Sequence, residues 1–377
     1  MDFTFFQELL SIDSTSGKER KVAEWLAERL PGMFPAANRP ELRAEEVGDG
    51  TLNILLTWGT PRIVFCSHLD TVPPYIEPLF PEGVFLSEPS LRDPSHKWAP
   101  PSYAAEGGHR FGEEHPLREN VIQGRGSCDA KGQVFAIVEA CKKLAEAGKT
   151  DFGMLLLAGE ETGSWGAKAF AKTEFRAEYL VVGEPTDNCM VSASKGTKSF
   201  DLKFTGEPFH SGYPQYGVSA VDLFVEFVNA LKAKDFGMDP VLGETTWNIG
   251  LVHSDNPQNI LSPELTCRLY FRTTFVSDEA VCKWMEEASS VIPGLTGNLA
   301  VTARGGDTPA RYWTVEGLPS KSVAFGSDAP HLKNFTHKAI CGPGSITVAH
   351  RDDEHVLVAD LATAVEQYLA LSRSVTE

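Results

Sequence analysis

The stretch VFCSHLDTVPP, residues 64–74, ends an apolar run on two residues that can do chemistry, His68 and Asp70. In an extended segment, residues i and i+2 point to the same side. Asp70 can therefore accept the free ring N–H of His68 and fix its tautomer, an arrangement typical of a histidine that binds a metal ion. Pro73 and Pro74 then prevent the segment from continuing in a hydrogen-bonded ladder.

Carboxylates follow other apolar segments in the same way. Asp129 lies in the turn GRGSCDAKG, Glu160 and Glu161 follow GMLLLAG, and Glu184 follows YLVVG. In an α/β sheet, such strand ends lie along one edge, which is where ligands bind. The mixture of imidazole and carboxylate groups suits zinc, with manganese or cobalt as alternatives.

Each of these residues also has an ordinary explanation when it is taken alone. A histidine at a strand end can be a capping residue, a Glu-Glu pair often begins a helix, and an aspartate in a glycine-rich turn often forms an Asx turn. Their coincidence favours a metal site, because converging carboxylates repel one another without a cation. Asp129, Glu161 and Glu184 together carry three negative charges, which two divalent ions would balance with room for one hydroxide.

The segments that carry these residues alternate between strand and helix patterns. TLNILLTW and RIVFCSH read as strands, and QVFAIVEACKKLAEAG reads as a helix. This alternation predicts an α/β fold with a mostly parallel, doubly wound sheet. We assign residues 1–189 and 304–377 to this metal-binding catalytic domain. Ser16 and Glu19 have the spacing of a capping box and predict the start of a helix.

Two segments depart from the α/β pattern. Residues 190–303 contain alternating strand patterns and two amphipathic helices, which predict an inserted α+β domain. Residues 75–120 are rich in proline, glycine and charge, and a connection of that length is usually functional or mobile. We expect its three histidines to be solvent-exposed: His96, His109 and His115.

Composition excludes several classes of protein. The 377-residue chain has a formal charge of −17, which argues against a nucleic-acid partner because phosphate binding needs basic patches. No apolar run reaches the ~18–20 residues of a membrane span, and the N-terminal MDFTFFQELL lacks the basic region of a secretory signal. Seven scattered cysteines without a C-x-x-C pair favour reduced thiols. We therefore expect a cytoplasmic protein that binds neither nucleic acid nor membrane.

Other enzyme motifs are missing from the sequence. It contains no P-loop, no complete dinucleotide-binding fingerprint and no H-E-x-x-H zinc motif. It also lacks the G-x-S-x-G turn that carries the nucleophile of many serine hydrolases. The scattered histidine and carboxylates at strand ends thus remain the main candidates for chemistry.

The motifs HLDTVP, GRGSCDAKG, GEETG, GEPT and GPGSITVAHRDDE occur in this order over nearly the whole chain. Together they resemble the signatures of the acetylornithine deacetylase / succinyl-diaminopimelate desuccinylase family, which also includes carboxypeptidase G and aminoacylases. The resemblance implies that one zinc ion is bound by His68, Asp129 and Glu184. It also implies that Asp129 bridges to a second zinc ion, held by Glu161 and His350.

The same resemblance implies roles for residues that do not bind metal. Glu160 would be the general base, and Asp70 would orient His68. The inserted domain would be a ferredoxin-like dimerisation domain, so that the protein is expected to be a homodimer. The remaining implied residues are His210, which would polarise the scissile carbonyl in the partner subunit's site, Asn259 and Arg272, which would bind the substrate carboxylate, and Gly344, which would lie beside the substrate.

These implications predict a di-zinc amidohydrolase that acts on a small N-acyl amino acid. The stretches GPGSITVAH and HSGYPQYGVSAV are most similar to acetylornithine deacetylase, which implies N-acetylornithine deacetylation in arginine biosynthesis. Alternatives within the family are a dipeptidase or carboxypeptidase and succinyl-diaminopimelate desuccinylase. An alternative of another class is a non-catalytic metal-dependent binding protein. Glu160 argues against it, since a pure ligand site needs no second carboxylate beside Glu161.

Overall fold

The computed structural model describes residues 1, 3–81 and 120–376. The three histidines predicted to be exposed and most of the 75–120 connection lie outside the described residues. The helices are α1 (Phe3–Leu10), α2 (Arg20–Arg29), α3 (Lys131–Glu146), α4 (Trp165–Phe170), α5 (Ala220–Ala233), α6 (Asp278–Val291) and α7 (Val358–Thr376). None of the helices in these ranges combines the length and apolarity needed to cross a bilayer.

Strands within the described ranges are mostly short. They are β1 (Glu41–Val47), β2 (Thr51–Gly59), β3 (Ile63–His68), β4 (Val121–Gln123), β5 (Asp151–Leu157), β6 (Ala177–Val182), β7 (Met190–Ser194), β8 (Gly196–Thr205), β9 (Met238–Asp239), β10 (Gly243–Glu244), β11 (Thr246–His253), β12 (Glu264–Thr273), β13 (Leu299–Gly305), β14 (Ala310–Arg311), β15 (Ser320–Val323), β16 (Phe335–Ile340) and β17 (His355–Leu357).

The chain divides into two compact units. The first comprises Met1–Met190, Thr314–Pro319 and Ser327–Glu377, and the second comprises Val191–Trp313 and Ser320–Gly326. The first unit has the mixed α/β fold that the sequence predicts, and the second is an α+β unit. Each unit has its own sheet, and they are described separately below.

A six-stranded sheet of order β1-β2-β5-β3-β6-β16 forms the centre of the first unit. Its strands β5, β3, β6 and β16 run parallel to one another, while β2 pairs antiparallel with β5, and β1 pairs antiparallel with β2 at one edge. Every residue of β3 is buried. Since successive side chains point to opposite faces of a strand, both faces of the sheet are covered at β3. The carboxyl ends of the parallel strands therefore lie along one edge, as the motif positions require.

Helices cover this sheet with the apolar residues that their sequences supply. α3 packs against α7, and both contact β3. Nearly all of α3 is buried, which explains why its sequence is apolar on more than one face. α2 and α4 contact β2. This doubly covered sheet thus carries the strand ends that hold His68, Glu161 and Glu184.

The second unit follows the order β8-α5-β11-β12-α6-β13. Its sheet has the order β11-β12-β8-β13 with antiparallel pairing throughout. This is the β-α-β-β-α-β arrangement of ferredoxin-like folds. α5 and α6 pack on the sheet, and large apolar side chains fill the space between them, among them Phe204, Phe227, Phe271 and Met285.

Two local features differ from the sequence-based predictions. The predicted insert of 190–303 would end inside β13, whereas the second unit continues to Trp313, because β13 pairs with β8 as far as Gly305 and β14 pairs with β7. The predicted capping box is wrong. Helix α2 begins after Glu19 without a side-chain cap, because the Ser16 hydroxyl donates to Asp70.

Candidate metal centre

His68 is the last residue of β3 and is buried. Its Nε2 lies 3.1 Å from Asp129 Oδ1, and its Nδ1 lies 2.9 Å from the main-chain carbonyl oxygen of Asp70. The Asp70 carboxylate is farther away, with Oδ1 3.5 Å from Nδ1. The carbonyl of Asp70 is thus the nearest acceptor for Nδ1–H, and Nε2 is the nitrogen that faces the other candidate ligands.

The Asp70 carboxylate has partners that the sequence did not reveal. Oδ1 accepts the backbone N–H of Glu160 (3.0 Å), and Oδ2 accepts the backbone N–H of Glu161 (3.1 Å). Oδ2 also accepts the hydroxyl of Ser16 at 3.1 Å. Hydrogen bonds to a charged acceptor are stronger than neutral ones, so this fully buried carboxylate fixes the turn that follows β5 relative to the end of β3.

Asp129 lies between two histidines. Oδ1 is 3.1 Å from His68 Nε2, and Oδ2 is 3.3 Å from His350 Nε2. Burial alone would raise the pKa of Asp129, but the hydrogen bonds from His350 and His68 outweigh it and hold that pKa below its usual range. The two oxygens therefore face different partners, an arrangement that would allow one carboxylate to be shared by two metal ions.

Glu161 and His350 form the outer side of the cluster. His350 Nε2 lies 3.0 Å from Glu161 Oε1, and the His350 side chain is about half exposed. Hydrogen bonds to Asp129 and Glu161 raise the pKa of His350 to about 10. One nitrogen or oxygen atom each from His68, Asp129 and Glu161 lies within 4.8 Å of the others.

Glu184 and Glu160 complete the group of acidic side chains. Glu184 is buried, and its Oε1 has no hydrogen-bond partner among the described residues. The pKa of Glu184 lies well above its ordinary value, because burial raises it and the carboxylates of Glu160 and Asp129 add to the effect. Burial likewise raises the pKa of Glu160 well above its usual range. An unpartnered buried carboxylate oxygen beside this cluster fits a site for divalent cations.

These protonation states predict proton release when metal binds to metal-free protein. At pH 7, His350 carries a proton because its pKa is about 10, and a metal ion requires the neutral imidazole. We expect at least one proton to be released per protein at pH 7, and the apparent affinity to fall about tenfold for each pH unit below the His350 pKa of about 10. Calorimetric titration with Zn²⁺ in buffers of different ionisation enthalpy measures the release directly. A buffer-independent heat would contradict the prediction.

The turn that carries Glu160 and Glu161 is also fixed from a neighbouring strand. The Asn53 side chain accepts the N–H of Ala158 (3.1 Å) and donates to the carbonyl of Gly166 (2.9 Å). The Glu161 carboxylate reaches His350, whereas the Glu160 carboxylate makes no hydrogen bond or ion pair with another described residue. The two adjacent glutamates are thus aimed differently, which leaves Glu160 able to exchange a proton.

Gly344 lies against the loop that carries Asp129. Its φ is +77°, a conformation that L side chains rarely adopt, and a Cβ at this position would lie 2.7 Å from Cys128 Sγ. Its carbonyl accepts the N–H of Asp187 at 2.7 Å. Glycine is therefore required here by both backbone conformation and space.

Sequence reasoning missed two buried acids of the first unit, Glu354 and Asp328. Glu354 binds backbone N–H groups of the loop that carries Asp129. Asp328 is buried with Oδ1 unpartnered among the described residues, and burial raises its pKa to about 6. The signal was present, since Glu354 ends the motif GPGSITVAHRDDE and Asp328 lies in SDAPHL. What the sequence did not reveal was which groups they contact.

The other predicted residues belong to the second unit. His210 is exposed, and its Nδ1 accepts the N–H of Gly212 at 3.1 Å. The N–H of Ser211 donates to the carbonyl of Asn259 (2.9 Å), so the two motif segments are neighbours. Arg272 on β12 stacks its guanidinium 5.0 Å from the ring centre of Tyr270.

Comparison with known proteins extends these observations. A family model described as "Peptidase family M20/M25/M40" matches residues 101–374. The chain belongs to this family. A probable carboxypeptidase from Emericella nidulans is 30% identical over 98% of this chain and 88% of its own length, and one from Aspergillus clavatus is 29% identical over 98% and 87%.

Solved structures show the same fold. A tripeptidase from Staphylococcus aureus superposes with a TM-score of 0.75 at 18% identity, over 99% of this chain and 97% of that one. An M20 family metallo-carboxypeptidase from Sulfolobus solfataricus has a TM-score of 0.67 at 16% identity, over 98% of each chain. A dinuclear metal-binding M20 peptidase from Bacillus subtilis has a TM-score of 0.64 at 10% identity, over 98% of this chain and 96% of that one.

Membership of the M20 family identifies the chain as an enzyme, a metallopeptidase-type hydrolase of amide bonds. The alternative of a non-catalytic metal-binding protein is therefore set aside. The motif resemblance to acetylornithine deacetylase and its relatives holds at the level of this wider family. The metal-ligating group found in the described residues agrees with a metal-dependent M20 enzyme.

Proposed function

We propose that this M20-family chain is a two-metal carboxypeptidase, which hydrolyses the amide bond next to a free carboxylate in a small peptide or N-acyl amino acid. The observation that carries the proposal is the Glu160–Glu161 turn. Glu161 contacts His350 within the candidate ligand group, while the adjacent Glu160 carboxylate is left without a partner among the described residues. The curated relatives, which match this chain along almost its whole length, are described as probable carboxypeptidases.

The residues present suit two zinc ions, which is our proposal for the native metal. His68, Asp129 and Glu184 would hold one ion, and Asp129, Glu161 and His350 would hold the other. When bound, the ions would polarise the amide carbonyl and lower the pKa of a bound water toward ~7. Histidine and carboxylate ligands are also compatible with cobalt or manganese.

Proton transfer is assigned to Glu160. As water attacks the acyl carbon, a carboxylate oxygen of Glu160 takes its proton and then delivers that proton to the nitrogen of the leaving amine. Burial raises the pKa of Glu160, which makes its conjugate acid better able to hold a proton between the two steps. Asp70 supports this role by binding the backbone N–H groups of Glu160 and Glu161.

Recognition of the substrate carboxylate is assigned to Arg272 and Asn259. Arg272 is partly buried and forms no ion pair with another described residue, so its charge is available to an anion. Guanidinium groups bind carboxylates in a bidentate manner. We also propose that Gly344 lies beside the substrate, as the motif resemblance implies; a side chain there would displace Cys128, the neighbour of Asp129.

We further propose that the protein is a homodimer that associates through the second unit. β11 is an edge strand of its sheet, and its Leu251 and Val252 are 71% and 53% exposed. On α5, Val221 and Val225 are also exposed. Apolar side chains along this strand edge, which has no strand partner among the described residues, and on α5, which packs on β8 and β12 of the same sheet, suit pairing with a second copy. His210 would then act in the partner subunit's site.

The cytoplasmic location of the protein stays a prediction.

The dimer predicts complementation between two inactive variants. His210→Ala and Glu160→Gln homodimers should each be inactive, because one lacks the group that polarises the carbonyl and the other lacks the base. In exchanged heterodimers one of the two sites has both groups, so a 1:1 mixture should regain up to about a quarter of wild-type activity. Light scattering and native mass spectrometry establish dimerisation and exchange. Demonstrated exchange without recovered activity would refute a site shared between subunits.

A second candidate function is N-acetylornithine deacetylation. It is favoured by the stretches GPGSITVAH and HSGYPQYGVSAV, which resemble that branch of the family more than the peptidases. The two functions share the metal centre and the need for a free substrate carboxylate. They differ in the group on the other side of the amide bond.

A substrate panel separates the candidates. N-blocked dipeptides with a free carboxylate should be cleaved at least about 100-fold faster than their C-terminal amides, because the charge of the partly buried Arg272 would otherwise stay unpaired. N-acetylornithine and N-succinyl-diaminopimelate complete the panel, and Glu160→Gln purified in the same way is the control for contaminating peptidases. A clear preference for N-acetylornithine would replace the first candidate with the second. No cleavage of any substrate by metal-loaded protein would refute both.

A further inference from the structure

Glu354 is a buried glutamate that binds the loop carrying Asp129. Its Oε1 accepts three backbone N–H groups, from Gly126 (2.9 Å), Cys128 (3.1 Å) and Asp129 (3.0 Å). Its Oε2 lies 2.5 Å from Nη1 of Arg125, and both side chains are almost completely buried. The Glu354 carboxylate thus fixes the backbone from Gly126 to Asp129, the ligand that we propose to be shared by the two metal ions.

Further hydrogen bonds hold both Glu354 and Arg125 in place. The N–H of Gly124 donates to the main-chain carbonyl of Glu354 (3.0 Å), and Nε of Arg125 donates to the carbonyl of Pro74 (3.1 Å). The pairing of β4 with β17 begins immediately beyond, where His355 lies opposite Gln123. Glu354 therefore lies where this small antiparallel ladder meets the Asp129 loop.

The same short segment also presents His350. Glu354 follows His350 by four residues, and its N–H donates to the carbonyl of Arg351 at 3.3 Å. His350 has a φ of +63°, a left-handed conformation that is uncommon for a residue other than glycine and persists only where the surroundings impose it. Anchoring the end of this segment at Glu354 therefore restricts where the imidazole can lie.

We propose that Glu354 is a positioning residue for the metal centre, which keeps Asp129 and His350 in the relative position that metal binding requires. The segment 350–354 then has two functions, since it supplies one ligand and orients the ligand that is shared. The proposal rests on the metal centre proposed above. It does not depend on which amide substrate the enzyme hydrolyses.

Glu354→Gln tests this role while preserving the size of the side chain. The amide cannot satisfy both sets of donors, because its NH₂ must face either Arg125 or the three backbone N–H groups. We expect the Asp129 loop to shift and Zn²⁺ affinity to fall by about 10- to 100-fold, the usual effect of losing a group that orients metal ligands. Zn²⁺ affinity is measured by calorimetry, metal content by elemental analysis, and ligand geometry by the visible absorption spectrum of the Co²⁺-loaded protein.

Glu139→Gln is the matched control. Glu139 is also a buried glutamate with a cationic partner, and its Oε1 lies 2.8 Å from Lys142 of the same helix, α3. Its replacement should leave Zn²⁺ affinity and the Co²⁺ spectrum unchanged. The far-UV circular dichroism of metal-free protein shows whether each variant is folded.

The possible results separate the proposals from each other. If folded Glu354→Gln has wild-type Zn²⁺ affinity and Co²⁺ spectrum and only a lower melting temperature, Glu354 is merely structural and the positioning role is wrong. If it does not fold, Glu354→Asp, which keeps the charge but shortens the reach, is measured in the same way. Failure of both variants to fold would likewise assign Glu354 to general stability. If the wild-type protein binds no metal, the proposed metal centre itself fails.

Discussion

Glu160→Gln should retain both metal ions and lose about 10²- to 10⁴-fold in kcat, the usual contribution of a positioned general base. Glutamine preserves the volume of the side chain and leaves intact the Asp70 hydrogen bonds, which go to the backbone of the Glu160–Glu161 turn. The Glu160 carboxylate has no partner among the described residues, so its replacement leaves no described group unpaired. Steady-state kinetics and elemental analysis on the same sample provide the measurement.

The neighbouring residue provides the matched variant for this experiment. Glu161→Gln removes a carboxylate that contacts His350 at 3.0 Å, and it should lose metal as well as activity. The contrast distinguishes a base from a ligand at adjacent positions of one turn. Substantial turnover by Glu160→Gln, or loss of metal from it, would refute the assignment of the base.

Metal removal should abolish activity and destabilise the first unit. A ligand present at 1,000 times its Kd and bound only by the folded state contributes about 4 kcal/mol of stability. For a unit of this size, that corresponds to a fall in Tm on the order of 10 °C. Without metal, the buried Glu184 oxygen has no partner among the described residues. Chelation followed by differential scanning calorimetry, with activity restored by added Zn²⁺ or Co²⁺, tests both parts.

The fall in Tm on metal removal should depend on pH. The pKa values of Glu160, Glu184 and His68 are well above their ordinary values in the metal-free protein, and the pKa of His350 is about 10. Groups with a raised pKa bind protons more tightly in the folded state, so their stabilising contribution is lost as pH rises through the folded pKa. From pH 6.5 to 9, the Tm of metal-free protein should therefore fall, while proton competition for the metal site weakens.

The gap in Tm between metal-loaded and metal-free protein should consequently widen over this range. Glu139→Gln, which alters an ion pair within α3, should show the same widening as the wild type. If this difference in Tm narrows with rising pH, His350 and His68 are not protonated groups whose protons the metal displaces. Loss of all metal without any change in Tm would contradict the metal centre as a stabilising element.

The α/β architecture and the set of residues at the strand ends could be predicted from the sequence. Apolar runs such as RIVFC and GMLLLAG predict buried parallel strands, and each stops at a polar side chain. Parallel strands joined by helices place these ends along one edge. His68 and Glu161 lie together in the structure for this reason, whereas Asp129 reaches them from the loop between β4 and α3, outside the six-stranded sheet.

Hydrogen bonds between residues that are far apart in the sequence could not be predicted in this way. Ser16 has the spacing of a helix cap, yet its hydroxyl donates to Asp70. The spacing of Asp70 predicts that its carboxylate binds His68, yet that carboxylate lies closer to the backbone N–H groups of Glu160 and Glu161. Capping boxes and i, i+2 pairs are local rules, and a buried carboxylate is satisfied by whichever donors the fold brings within reach.

The sequence by itself therefore determined which residues can bind metal and which strands present them, because side-chain chemistry and hydrophobic periodicity are local properties of the chain. Only the tertiary structure decided how those residues are held. The Asp70 carboxylate binds backbone N–H groups of the Glu160–Glu161 turn, and the Glu354 carboxylate binds those of the loop that carries Asp129. The physical reason is that backbone N–H groups are the same in every residue. Which carboxylate meets them depends on distances across the fold, which the order of residues does not specify.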